Sequence, residues 1–395
     1  MKRTLAVASL VWMASVVGRT PLIGQAPAVQ PGDPLPGLTP REFSEFRLGL
    51  DDFTEVETAE EGLGPAFNGT SCAVCHNVPA IGGAGIILET RAGYRDADGT
   101  FRGLNDDGDT LMHLFSVPTH GCQPMIPDDV TVIARRAPIP LFGAGLVAAI
   151  PDDAILNLED PQDRNRDGVS GRAALITDTA TGERRVGRFG WKAQHATLLT
   201  FGADAYRNEM GITNDVFPRE SAFAVSEDQM RRCDPVPEPE DVRERSTGRR
   251  GIDNFESFMR FLAPIARSHS DENTREGERL FASIGCATCH VPTLTTGPSP
   301  NPLFDRRPVP LFSDLLLHDV GTGDGIVQGA AQALEIRTPA LWGLRLRRPL
   351  LHDGSAATIA EAIERHRNEA ELARRGFSGL TPAERDRLIA FLRSL

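Results

Sequence analysis

Two short stretches decide how this chain is read: Cys72-Ala73-Val74-Cys75-His76 and Cys286-Ala287-Thr288-Cys289-His290. Each is C-x-x-C-H, the attachment pattern of c-type haem. Two thiols three positions apart can add to the two vinyl groups of one porphyrin, and the next residue, His, is then held beneath the iron as its proximal ligand. Six Cys and nine His placed at random over 395 residues would give roughly 0.002 such matches. Two are not coincidence. A four-Cys zinc site or two thioredoxin-like dithiols would also use paired Cys. Neither requires His after both pairs, and zinc knuckles usually lie close in sequence, whereas these lie far apart. Two covalently bound haem c groups are therefore expected, one on Cys72, Cys75 and His76, the other on Cys286, Cys289 and His290.

Working outward, Thr39-Pro40-Arg41-Glu42 reads as an N-cap, a first-turn Pro and a Glu at N3, with Phe43, Phe46 and Leu50 following at helical spacing. A helix through Gly277, Leu280 and Phe281 runs into the second cluster. Thr381-Pro382-Ala383-Glu384 opens a closing helix that presents Leu388, Ile389, Leu392 and Leu395 on one face. Opening helix, Cys cluster, long ligand-bearing loop and closing helix form the layout of a small cytochrome c domain. Residues 77–150 mix short apolar runs with Gly- and Asp-rich turns, and predict loops and short strands. Residues 219–250 are charged and Pro-rich, a surface excursion, and a short helix over Phe255 to Leu262 follows. The expected fold class is mainly α, two cytochrome c-like domains with long loops and a few short strands. They span residues 29–267 and 268–395, after a signal peptide at 1–28.

That signal is read from Lys2 and Arg3, the apolar run Leu5 to Val17 and the cleavage site Ala26-Pro27-Ala28. It places the protein in the periplasm or otherwise outside the cytoplasm. No later stretch approaches the ~18 consecutive apolar residues of a membrane helix, so no membrane insertion is expected once the signal is removed. A net charge of -12 argues against a nucleic-acid partner. Cys122 and Cys233 remain unassigned. In an oxidising compartment they form a disulfide, two free buried thiols being the alternative. Asp163-Arg164-Asn165-Arg166-Asp167-Gly168 places oxygens at EF-hand positions 1, 3 and 5 with Gly at 6, but Ala174 stands at 12. Asp163, Asn165 and Asp167 are thus a candidate calcium loop, against a plain acidic turn.

Further blocks carry a resemblance. They are Leu315-Leu316-Leu317-His318-Asp319-Val320-Gly321, Arg337-Thr338-Pro339-Ala340-Leu341-Trp342-Gly343, Leu351-His352-Asp353-Gly354-Ser355, Gly187-Arg188-Phe189-Gly190-Trp191-Lys192-Ala193 and Asn208-Glu209-Met210-Gly211. Through them nearly all of the chain after the signal resembles the dihaem oxidoreductase family within the bacterial dihaem cytochrome c peroxidase superfamily. The resemblance implies a reactive haem in the N-terminal half, an electron-storing haem in the other, Trp191 between them and Glu209 as distal acid/base. It implies His352, and less firmly His318, as hydrogen-bonding groups at the edge of the second haem. His366 falls where the peroxidases carry a distal Met, and the last Met of this chain is Met259. The second haem is accordingly read as bis-His, His290 and His366, with a lowered potential. For the first haem, His113, His120 and His195 are candidate sixth ligands, His195 sharing a helix face with Trp191 at i, i+4; an open position is the favoured reading. The implied activity is reduction of hydrogen peroxide, or peroxide-driven oxidation of a partner, fed by a small cytochrome or cupredoxin. The alternatives are an electron-transfer cytochrome without its own catalysis and a haem-dependent oxygenase.

Overall fold

Capping side chains fix where the helices begin in the computed structural model, which describes residues 29–105, 107–119, 121–221, 225, 227–233 and 242–395. The expected signal at 1–28 and His120 lie outside the described residues. In α1 (Pro40–Thr54) the Thr39 hydroxyl accepts from the Glu42 N–H, and the Glu42 carboxylate accepts from the Thr39 N–H. The helix buries Phe46, Gly49 and Phe53. Phe43, expected on that stripe, is 49% exposed. A single turn, α2 (Cys72–Cys75), is capped by Ser71. Then come α3 (Ala144–Ala148), α4 (Asp152–Leu156), α5 (Leu198–Met210), α6 (Glu227–Cys233) and α7 (Gly251–Phe261). The C-terminal part supplies α8 (Glu272–Ser283), α9 (Ile359–Glu364), α10 (Glu371–Gly379) and α11 (Pro382–Leu392). Short strands lie between, and turns and loops outweigh both among the described residues. None of the helices there is long and apolar enough to cross a membrane.

One packing device occurs twice. Gly49 of α1 faces α7 so closely that a Cβ would lie 2.2 Å from the Asn254 carbonyl oxygen. Gly277 of α8 faces α11, where a Cβ would lie 2.0 Å from the Arg387 carbonyl oxygen. Each opening helix also sends a Phe to the His of its own Cys cluster, with ring centroids 6.2 Å apart for Phe53–His76 and 6.3 Å for Phe281–His290.

Two apolar cores result. The larger gathers Phe46, Phe53, Tyr206, Phe255 and Phe258, and the smaller Phe281, Phe312, Phe377, Leu388 and Phe391. Leu294, Phe304, Val309, Leu311, Leu315 and Leu316, all C-terminal to residue 268, pack into the larger one. The loop between the second Cys cluster and α9 thus serves both. Residues 77–150 are loops and short strands, as their composition predicts. Strand Glu89–Arg95 pairs antiparallel with Val132–Arg136, and also with Phe101–Arg102 and Leu111–Met112. Its register sets Glu89 opposite Arg136. Cys122 and Cys233 are paired through sulfur, their Cα atoms 5.8 Å apart, so the 120s loop is tied to the end of α6. Deeper inside, Asp324 accepts from Arg136 Nε at 2.7 Å and from Lys192 Nζ at 3.0 Å, all three buried.

Candidate functional site

Each Cys cluster opens onto its own cavity. Open-mouthed spaces of ≈ 1260 Å³ and ≈ 1670 Å³ adjoin Cys72–His76 and Cys286–His290 respectively. Because the two Cys pairs face different cavities, a shared four-Cys zinc site is excluded. Burial pushes the Cys72, Cys75 and Cys286 thiols up to about 12, opposite to the lowered pKa of a reactive dithiol.

Three imidazoles are presented in the same way. The Nδ1 of His76 bonds the Gly83 carbonyl at 2.9 Å, that of His290 the Phe312 carbonyl at 3.0 Å and that of His366 the Ala362 carbonyl at 2.7 Å. A carbonyl only accepts, so each Nδ1 carries the proton and each Nε2 keeps its lone pair. Burial lowers the pKa of all three, to about 4 for His290, which holds them in the neutral, ligating form. His290 and His366 line the same cavity, His366 arriving from the end of α9. Among the described residues, His76 is the sole His lining the first cavity. His113 instead bonds the Asn208 carbonyl through Nε2 at 2.8 Å, and His195 bonds Asp204 at 3.0 Å. His195 shares no helix with Trp191. Residues 189–195 form a tight reversal closed by a Phe189–His195 bridge, with positive φ at Gly190 and Ala193.

The cavities fit haem on their own evidence. Both are walled mainly by apolar side chains, among them Phe53, Leu141, Phe201 and Met259 in the first and Phe281, Leu344, Ile363 and Leu388 in the second. Each also holds buried polar atoms that no described group satisfies: Arg136 Nη2 in the first, Arg347 Nε and Nη2 and His352 Nδ1 in the second. A guanidinium N–H left unsatisfied at the edge of an apolar slot is costly unless an anionic ligand meets it. The two propionates of a porphyrin are such anions.

Trp191 lines both cavities and is 5% exposed. Its Nε1 donates to the Ala137 carbonyl at 2.8 Å and its carbonyl accepts from Arg337 N at 2.8 Å. The Arg347 guanidinium lies 5.0 Å over its ring, and the His352 ring meets it edge-on with centroids 6.0 Å apart. Glu209 stands in the last turn of α5, in the wall of the first cavity. Asn68 Nδ2 donates to its Oε2 at 2.9 Å. Burial, then the adjacent Glu89 carboxylate, push its pKa up to about 8 against the pull of Asn68 and Arg91. Glu89 moves the other way: burial opposes its ionisation, but Arg91 and Arg136 outweigh it.

His318 is held between Asp314, 2.9 Å from Nε2, and Glu369, 2.8 Å from Nδ1. Burial works against its protonation, yet these partners raise its pKa well above the usual value. It is a buried imidazolium tying the loops under the second cavity. Asp314, His318 and Cys289 are the single group of three His, Cys, Asp or Glu side chains whose ligand atoms converge among the described residues. In the 163–168 loop the oxygens serve their own turn: Asp163 Oδ1 accepts from Gly168 N, Asn165 Oδ1 from Asp167 N and Asp167 Oδ1 from Val169 N. Glu89, Arg91, Asn68, Arg136 and Arg347 belong to the sites and escape sequence reading. The E-x-R alternation at 89–91 was the available signal, since alternate strand residues share a face.

Residues 119–395 match a family model described as "Di-haem oxidoreductase, putative peroxidase". No curated protein matches the chain. Among solved structures it is similar to hydrazine synthase of Kuenenia stuttgartiensis, at 16% identity over 97% of this chain and 100% of that one, TM-score 0.43. It is also similar to the dihaem peroxidase BthA of Burkholderia thailandensis E264, at 15% identity over 89% and 86% of the two chains, TM-score 0.44. A MauG-like protein associated with microbial copper homeostasis is 17% identical over 71% and 95%, TM-score 0.33.

Proposed function

The chain belongs to the di-haem oxidoreductase family, and from that premise we propose that it is an exported, peroxidase-like enzyme carrying two covalently bound haem c groups. It reduces hydrogen peroxide, or uses peroxide to oxidise a partner. Cys72 and Cys75 would hold the first haem with His76 as iron ligand. Cys286 and Cys289 would hold the second, with His290 and His366 as its iron ligands. Bound haem would supply the electron chemistry and a place for peroxide.

The observation that carries this reading is the contrast between the cavities. One presents two imidazoles held with Nδ1 on a backbone carbonyl, the other a single such imidazole and the Glu209 carboxyl. Glu209 can take a proton from one peroxide oxygen and return it to the other, which assists heterolytic O–O cleavage. Asn68 fixes the carboxyl that does so. Trp191, in the wall of both cavities, is the route for electrons between them, and Arg347, Arg337 and Ala137 hold its ring and backbone in place. The electron donor is a small cytochrome or cupredoxin, the compartment is the periplasm, and residues 29–267 and 268–395 act as two cytochrome c-like halves.

Stopped-flow mixing of the haem-loaded protein with hydrogen peroxide, followed at the Soret band, tests this. Glu209→Gln is expected to slow the reaction by about 10²–10⁴. A wild-type spectrum unmoved by peroxide would leave an electron-transfer cytochrome instead. Equal rates in the two proteins would take Glu209 out of the chemistry.

A further inference from the structure

Glu209 has a second carboxylate beside it that no motif announces. Glu89 opens the strand Glu89–Arg95 and lines the first cavity with Glu209. Arg91, two residues on and on the same face, grips both of its oxygens, Nε to Oε1 at 2.6 Å and Nη2 to Oε2 at 3.1 Å. Arg91 is itself fixed, its Nη1 donating to Thr110 Oγ1 at 3.0 Å. A carboxylate so held keeps its negative charge. The Glu209 carboxyl lies within hydrogen-bonding reach of it. Asn68 leaves no doubt about its own orientation: its Oδ1 accepts from Leu114 N at 2.9 Å, so the amide NH₂ faces Glu209. The other charged or titratable groups around the pair are Arg136 from the neighbouring strand, Asp204 on α5, Cys75 and His76.

Two carboxyls in contact do not both ionise at neutral pH. Arg91 decides which one does. We propose that Glu89 and Glu209 share a single proton, and that Glu89, locked by Arg91, is the positioning residue that keeps Glu209 in its acid form facing the first cavity. The catalytic consequence rests on the peroxide reading above. Glu209 gives its proton to the far peroxide oxygen and takes that of the near one in its place, while Glu89 stays the anion. The pair ends with the one proton it began with.

Infrared spectroscopy of the haem-loaded protein tests the pair without peroxide. The wild type should show a carboxylic-acid C=O band at neutral pH that is lost in Glu209→Gln. In Glu89→Gln the freed Arg91 favours the Glu209 anion, and the pH at which the band disappears should fall by at least one unit. Glu89→Asp keeps the charge and should retain the wild-type midpoint. A band that survives Glu209→Gln, or a midpoint that Glu89→Gln does not move, overturns the proposal. If Glu89→Gln fails to take up haem, the wild type decides: a midpoint in the ordinary Glu range is equally fatal. A protein inert to peroxide but with the expected bands would sink the peroxidase reading and leave the shared proton standing.

Discussion

Three imidazoles, each with Nδ1 on a backbone carbonyl, show how much a single bond decides. The bond fixes the tautomer, so Nε2 is ready as a donor atom before any metal arrives. His76 and His290 were legible from spacing alone. His366 was legible through the resemblance, which puts a distal Met at that position, and from the lack of any Met after Met259. Glu89 and Arg91 were not, because two charged residues in a polar stretch acquire meaning only once the strand register sets them opposite Arg136. Exchanging the sulfur of Met for the nitrogen of His, or the reverse, changes how strongly the oxidised iron is stabilised. Redox titration of His366→Met is therefore expected to show one haem raised by on the order of 0.1 V and the other unmoved. An unaltered pair of potentials would mean that His366 is no ligand.

Helices were the readable elements and tight reversals were not. The capping boxes at Thr39 and Thr381 are where sequence places them. The i, i+4 spacing of Trp191 and His195 misleads, because Gly190 and Ala193 turn the backbone out of helical space and Gly187 lets it close: a Cβ there would lie 1.8 Å from the Ala193 carbonyl oxygen. The helix pairs depend on similar economy. In Gly277→Ala the new methyl collides with the backbone of α11, and both helices must part to admit it. Ala is the better helix former by about 0.8–1 kcal/mol, yet overpacking costs about 1–3 kcal/mol. Denaturant titration should thus show a net loss of stability, with Gly49→Ala behaving alike. A gain would mean that the helices stand further apart than the structure has them.

At the scale of the whole molecule, two cores share a loop and one buried carboxylate joins residues from both sides of position 268. Burial alone would keep Asp324 protonated, but Arg136 and Lys192 outweigh it and hold its pKa below the ordinary value. Burial brings Lys192 down to about 8. A depressed carboxylate pKa contributes stability that is fully present above the unfolded value of about 3.9 and is lost as pH falls through the folded one. Asp324→Asn leaves two buried cations short of an anion and should cost about 3–5 kcal/mol at neutral pH. It should also remove part of the wild type's loss of stability on acidification below about pH 4. Thermal melts of both proteins between neutral and acid pH would show it; parallel curves would mean that Asp324 carries no such linkage.

The chain thus wraps two chambers that share one indole in their walls. Charge that passes between them by the proposed route stays inside the protein, along a side chain that solvent scarcely touches. The outer surface can then drift in sequence, change its loops or acquire new docking partners without lengthening that crossing.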